Sequence, residues 1–228
     1  MKRFYKDVLV VGTSSGFVIH LDDMPVKTPM KTLLQLPTQA LADLVAKEWQ
    51  AVAETIDLNA MLYTKMVATV VDHISNDRPR YETEMLEYLR TDTVCYLDGG
   101  NATLLEKQKA QLLPLLQAFN ELAGANLQPV MDLSVPEIEE DKTRALIEPL
   151  SDFHLMGLHF GAGLIKSFIL SYGLMTDILT AEQAYTLSHI EEHLNTEQWG
   201  ADEEETTRLQ GVQDQLTALG NYYAALSG

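Results

Sequence analysis

The sequence predicts an α+β protein: a small β-rich N-terminal head followed by a larger orthogonal α-helical bundle. Three observations predict it. The first forty residues alternate apolar and polar positions between turn residues, as in "DVLVV" and "FVIHL". From about residue 58 the apolar period lengthens to three and four. A chain of 228 residues, 46% of them hydrophobic, is also long enough to bury a core. The boundary is expected near Ile56, which gives a head of residues 1–56 with one helix and a helical domain of residues 57–228. The glycine pair at 99–100 is the alternative boundary.

In the head, "DVLVV" is a β-branched run, "GTSSG" is turn material and "FVIHL" alternates again, with "TLLQLP" as a further short strand. Thr38 follows Pro37 as an N-cap for the helix "QALADLVAKEWQAVAE". In "NAMLYTKMVATVVDHIS", Met66, Val70 and Ile74 fall on one helical face. Asp77 and Pro79 are start signals for "NDRPRYETEMLEYLR", and Pro114 is expected to kink or divide the helix that follows Gly100. "EIEEDKTRALIEPL" and "DFHLMGLHFGAGLIKSFILSYGLM" return to helix after the extended "QPVMDLSVP". Thr180 and Gln183 form a capping-box pattern ahead of a helix over 181–198, and Gly200 stops that helix after Trp199. Leu209, Val212, Leu216, Leu219 and Tyr223 form a buried stripe on the last helix.

Charge narrows the partners. The chain carries 33 acids against 16 bases, a formal charge of −17, which repels phosphate backbones and anionic membranes. No nucleic acid and no membrane insertion are expected, and basic protein surfaces are the fitting counterpart. The one cysteine, Cys95, rules out an internal disulfide and sits among apolar neighbours, so a packed thiol is expected. "MKRFYKDVLVVG" lacks a signal peptide's apolar segment, and no run reaches the ~20 apolar residues of a membrane span. The expected location is the cytoplasm.

"SHIEEHL" at 188–194 contains His189, Glu192 and His193 in the order H-x-x-E-H, a zinc-hydrolase pattern. On a helix over 181–198, Leu187, Ile190 and Leu194 point to the core, His189 and Glu192 point away, and His193 lies on the flank. Two histidines at i and i+4 permit a metal pair. A catalytic zinc also needs a third ligand and a cleft, and the ligand would have to come from "ADEEE" or the last helix. A zinc-dependent hydrolase is therefore the alternative reading. A solvated helix face, with no metal and no cofactor, is the preferred one. The same wheel puts Glu191 at the shoulder of the apolar stripe, half desolvated unless a cation approaches. Between Ser167 and Thr207 there is no Lys or Arg, whereas Glu191, Glu192, Glu197, Asp202, Glu203 and others make the stretch uniformly acidic. That is either a solvated face or a docking surface for a basic partner. "GAG" at 161–163 lacks a third glycine and no P-loop is present, so the chain reads as a binder rather than an enzyme.

Five segments in order carry a family resemblance. "KRFYKDV" with "GFVIHLDDMPVKTP", "LADLVAKEWQAVAETID" with Trp49, "TDTVCYL" and "SHIEEHLNTEQWGADEE" resemble the blocks of the ATP-twelve chaperones, assembly factors for the F(1) sector of ATP synthase. Asp23, Met24 and Leu62 depart from the family's usual residues. The resemblance implies a non-enzymatic chaperone that binds the free alpha subunit and keeps it from aggregating before it pairs with beta. It also implies that the family's functionally sensitive acid falls on Glu191. The expected partner-binding residues are Glu191, Glu192, Trp199, Asp202, Glu203 and Trp49, with no catalytic residue, in a chain that is monomeric when free.

Overall fold

The computed structural model describes residues 1–132 and 134–227 and has the α+β architecture expected of the sequence. Strands β1 (Val8–Thr13) and β2 (Gly16–Leu21) form an antiparallel hairpin, in register from Val8 opposite Leu21 to Thr13 opposite Gly16. β2 pairs on its other side with β3 (Met24–Pro25) and β4 (Gln35–Leu36). The turn needs Gly16, whose φ is +134°; a Cβ there would run into the Leu36 carbonyl oxygen. Among the described residues ten α-helices follow: α1 (Gln39–Ala51), α2 (Leu62–Asp72), α3 (Arg78–Arg90), α4 (Ala102–Ala123), α5 (Glu140–Ile147), α6 (Asp152–Ile165), α7 (Phe168–Met175), α8 (Ala181–Ser188), α9 (Ile190–Trp199) and α10 (Glu203–Leu226). Among the described residues no helix is long and apolar enough to cross a membrane.

Two compact units result, one of Met1–Arg78, Ser151–Gly157 and Asn221–Gly228, the other of Pro79–Leu150 and Leu158–Gly220. This division differs from a single cut at Ile56. α2 stays with the strands, and two distant segments join them. Hydrogen bonds account for that: Thr38 Oγ donates to the Ala225 carbonyl (2.6 Å), Tyr222 donates to the Phe153 carbonyl (2.9 Å), and Arg78 pairs with Asp152 (2.8 Å).

In the first unit α1 packs on β1 and β2. Thr38 caps it, accepting from the Leu41 amide, and Leu41, Val45 and Trp49 lie in the core with Ile19 and Leu36. Glu48 accepts from the Tyr63 and Thr64 amides (2.7 and 2.8 Å) and so caps α2, although Met61 occupies the cap position. Ile74, expected on the face of α2, is buried just beyond it in a short 3-10 turn.

In the second unit α4 runs unbroken through the exposed Pro114, held by an Asn101 cap and ended by left-handed Gly124. The long run from Asp152 is divided. Lys166 takes φ +55° and Ser167 caps α7, its Oγ accepting from the Leu170 amide. The buried Asp92 fixes this corner, accepting from the Val94 amide (3.0 Å), Ser167 Oγ (2.7 Å) and the Ile169 amide (2.8 Å). Cys95 is a packed thiol, its pKa pushed up to about 12 by burial and by Asp92. All five residues of the α10 stripe are buried.

Candidate functional site

The candidate surface is formed by α8, α9 and the start of α10, within the second unit. The capping box at its beginning is as expected. Gln183's amide donates to Thr180 Oγ (3.1 Å) and Thr180's amide donates to the Gln183 side chain (2.8 Å). The helix expected over 181–198 is not continuous, however, and this corrects the helical wheel. His189 adopts φ −127°, ψ 34° and separates α8 from α9. Local side chains compete for the backbone there. Ser188 Oγ donates to the Tyr185 carbonyl (2.9 Å), and His189 Nδ1 lies 3.1 Å from the same oxygen. The His189 amide turns instead to Thr186, at 3.4 Å.

The break resets the phase of everything after it. His189, expected to face outward, is 6% exposed, and burial holds its imidazole below the ordinary histidine range against the pull of the Tyr185 carbonyl and Glu192. Ala184, Ile190 and Leu194 form the inward side, while Leu187 is half-buried. Glu191, expected at the desolvated shoulder, is exposed instead. Glu192 is half-buried and reaches Arg208 at 3.7 Å. His193 presents its ring edge to Tyr185, 5.3 Å between centroids, and its Nε2 is buried with no hydrogen-bond partner. The H-x-x-E-H pattern therefore straddles a helix break. Among the described residues no group of three or more His, Cys, Asp or Glu could hold a metal ion.

Arg208 is the single Lys or Arg from Ser167 to the end of the sequence. It pairs with Glu205 through two hydrogen bonds (2.8 and 2.7 Å) and also with Glu192, while Lys107 of α4 pairs with Glu197 at 2.7 Å. Glu191, Glu203 and Glu204 are exposed and make no ion pair with a described residue. Asp202, also exposed, accepts from the Glu205 amide (3.0 Å) at the head of α10. Between them, at the end of α9, Trp199 is 83% exposed, and Gly200 turns the chain with φ +86°. Acids around an uncovered indole suit the binding of a basic, partly apolar protein surface. A groove of about 340 Å³ is lined by Glu191 and Glu192 together with Tyr96, Leu112 and Ile190.

Five of the six expected contact residues thus lie in this segment. Trp49 does not, and that expectation is corrected. It is 6% exposed in the core of the first unit, with the Tyr5 hydroxyl donating to its carbonyl (2.7 Å) and the two rings 5.9 Å apart. The sequence reading missed the uncovered apolar side chains of the first unit, among them Phe4, Leu9, Val11 and Met24. Their signal was available: "VLVV" puts apolar residues on both faces of a strand.

The fold has known counterparts. The profile of a family described as ATP12 chaperone protein matches residues 2–120. Among curated proteins, Protein atp12, mitochondrial, of Schizosaccharomyces pombe is 23% identical over 218 residues, covering 89% of this chain and 75% of its own length. Among solved structures, Atp12 from Paracoccus denitrificans matches with a TM-score of 0.89 at 28% identity, over 98% of this chain and 97% of that one. The Atu1473 protein from Agrobacterium tumefaciens matches with a TM-score of 0.90 at 32% identity, over 99% of this chain and 86% of that one. With more than half of its length matched to the family profile and nearly all of it to these structures, the chain belongs to the ATP12 chaperone family.

Proposed function

We propose that this protein is an assembly chaperone of ATP synthase that binds the free alpha subunit of the F(1) sector, shields it from aggregation and releases it when it pairs with beta. It acts by binding, without catalysis, as a monomer in the bacterial cytoplasm or in the matrix of mitochondria. Family membership supports the class of activity. The observation that carries the choice of surface is the run of acids on either side of the exposed Trp199 in the chain, where Glu191, Glu203 and Glu204 make no ion pair with a described residue and Arg208 is the only Lys or Arg from Ser167 onward. An unassembled subunit exposes an interface that would otherwise self-associate. A chaperone has to cover that interface and later let go, which favours charge complementarity around a small apolar anchor over a large dry contact.

In this reading Glu191, Glu192, Asp202 and Glu203 supply the charge and Trp199 the anchor. Co-expression with the cognate alpha subunit tests it, and the expected result is alpha retained in the soluble fraction. An unchanged pellet refutes the function. Within it, Glu191→Gln is expected to weaken retention more than Glu204→Gln; equal losses refute the special place of Glu191. Affinity capture from the native cell is expected to return ATP synthase subunits, and recovery of a different basic complex instead would replace alpha as the partner.

A further inference from the structure

The first unit contains a strand edge to which no other described strand is bonded. Among the described residues β1 pairs with β2 alone. The Asp22 amide donates to the Asp7 carbonyl (2.9 Å), which makes Asp7 and Asp22 a hydrogen-bonded pair. In an antiparallel ladder bonded and non-bonded pairs alternate, so Leu9, Val11 and Thr13 also bond to β2. Val8, Val10 and Gly12 therefore direct their amides and carbonyls away from it. The far side of β2 agrees: Ile19, opposite Val10, accepts from the Val26 amide on β3's side. Among the described residues no other backbone or side-chain group bonds to Val8, Val10 or Gly12. The edge thus offers three donors and three acceptors in one row.

Edges of this kind are ordinarily blunted by lysine, proline, a bulge or a covering segment. "VLVVGT" has no charge and no proline, and its register with β2 runs without a bulge. Leu9 and Val11, two residues apart on one face, are 54% and 36% exposed. We propose that the open edge of β1 is a second docking site of the chaperone, which takes an extended, uncharged segment of the client subunit by strand addition. The inference rests on the reading of the chain as a subunit chaperone.

Charge selects the occupant. The first unit has ten acids against eight bases, a formal charge of −2, so its edge does not repel an incoming apolar segment. A second copy of the chain would bring a further −17 with it, which disfavours edge-to-edge pairing of two chaperones. Backbone bonds then provide the affinity. The client residues beside Leu9 and Val11 provide the selectivity, because cross-strand neighbours on that face are best matched by apolar side chains.

Amide hydrogen exchange of the full-length wild-type chain, alone and with the F(1) alpha subunit, tests the proposal. The Val8, Val10 and Gly12 amides are expected to exchange freely in the chain alone and to slow by roughly tenfold or more in the complex. Captured alpha with these three amides unslowed overturns the edge and leaves the chaperone reading standing. Failure to capture alpha at all removes both. Slowing that grows with the concentration of the chain alone identifies a second copy as the occupant and also overturns it. Leu9→Lys and Val11→Lys, both at exposed positions, are expected to hold alpha less well than wild type at an unchanged melting temperature. Equal capture by the two variants overturns the site.

Discussion

The two compact units differ in what they leave uncovered, and their tryptophans show the difference. The first unit buries Trp49 but, among its described residues, leaves eight large apolar side chains exposed on a nearly neutral surface, with Leu9, Met24 and Met30 among them. The second carries twenty-three acids against eight bases, a formal charge of −15, and among its described residues five exposed large apolar side chains, of which Trp199 is the most open. One unit offers apolar surface and backbone bonds; the other offers charge around a single ring. A client held by both would meet contacts that salt screens and contacts that it does not.

Trp49→Ala should sharpen this contrast most. Emptying that core position is expected to cost about 3–5 kcal/mol, read as a lowered denaturation midpoint. A change below about 0.5 kcal/mol, the usual size at an exposed position, would break the comparison. Next in size is Asp92→Ala, which strands three buried donors in the second unit and is expected to cost on the order of 3 kcal/mol.

Asp92 also gives that unit a pH signature. Burial outweighs its hydrogen-bond donors and raises its pKa from 3.8 to about 6. Between those values the folded chain holds the proton more tightly than the unfolded one. This contribution to stability is complete below 3.8 and is lost as the pH rises through about 6. Asp92→Asn cannot titrate, so its stability deficit relative to wild type should shrink across that window. A constant deficit from thermal melts would show that Asp92 stays ionised throughout.

Smaller effects belong to the surface. The pair Glu203→Gln and Glu204→Gln is expected to slow association with alpha by about tenfold at low salt, and the difference should vanish near 1 M salt, where screening acts over ~3 Å. A deficit that survives high salt would mean that these acids do more than steer. Trp199→Ala should leave the melting midpoint within the equivalent of about 0.5 kcal/mol while weakening capture of alpha. Loss of stability there would place the indole in the fold rather than on the docking face.

Much of this was legible in the sequence wherever local chemistry decides structure. The caps at Thr38 and Thr180, the α10 stripe and the packed Cys95 each follow from neighbours within a few residues. The helix breaks at Lys166 and His189 did not show, because neither site has the glycine or proline that usually marks one. At Lys166 a left-handed backbone is fixed by the distant Asp92, through its bonds to Ser167 and Ile169. At His189 the side chains of Ser188 and His189 take the Tyr185 carbonyl, a competition that a uniform helical wheel cannot represent. The misplacement of Glu191 and of His189 itself follows from that one residue. The open β1 edge was hidden for another reason: an apolar strand reads alike whether it lies at the centre of a sheet or at its border.

The acids on the candidate surface begin helices: Glu191 and Glu192 lie in the first turn of α9, and Glu203, Glu204 and Glu205 in the first turn of α10. Peptide dipoles concentrate partial positive charge at those ends, so each carboxylate there favours helix formation by about 0.3–1 kcal/mol. The charges proposed to meet a client therefore also help fasten the scaffold that presents them. Glutamine keeps the shape but gives up this dipole interaction, and lysine reverses it, so the loss of helix stability should grow from glutamine to lysine.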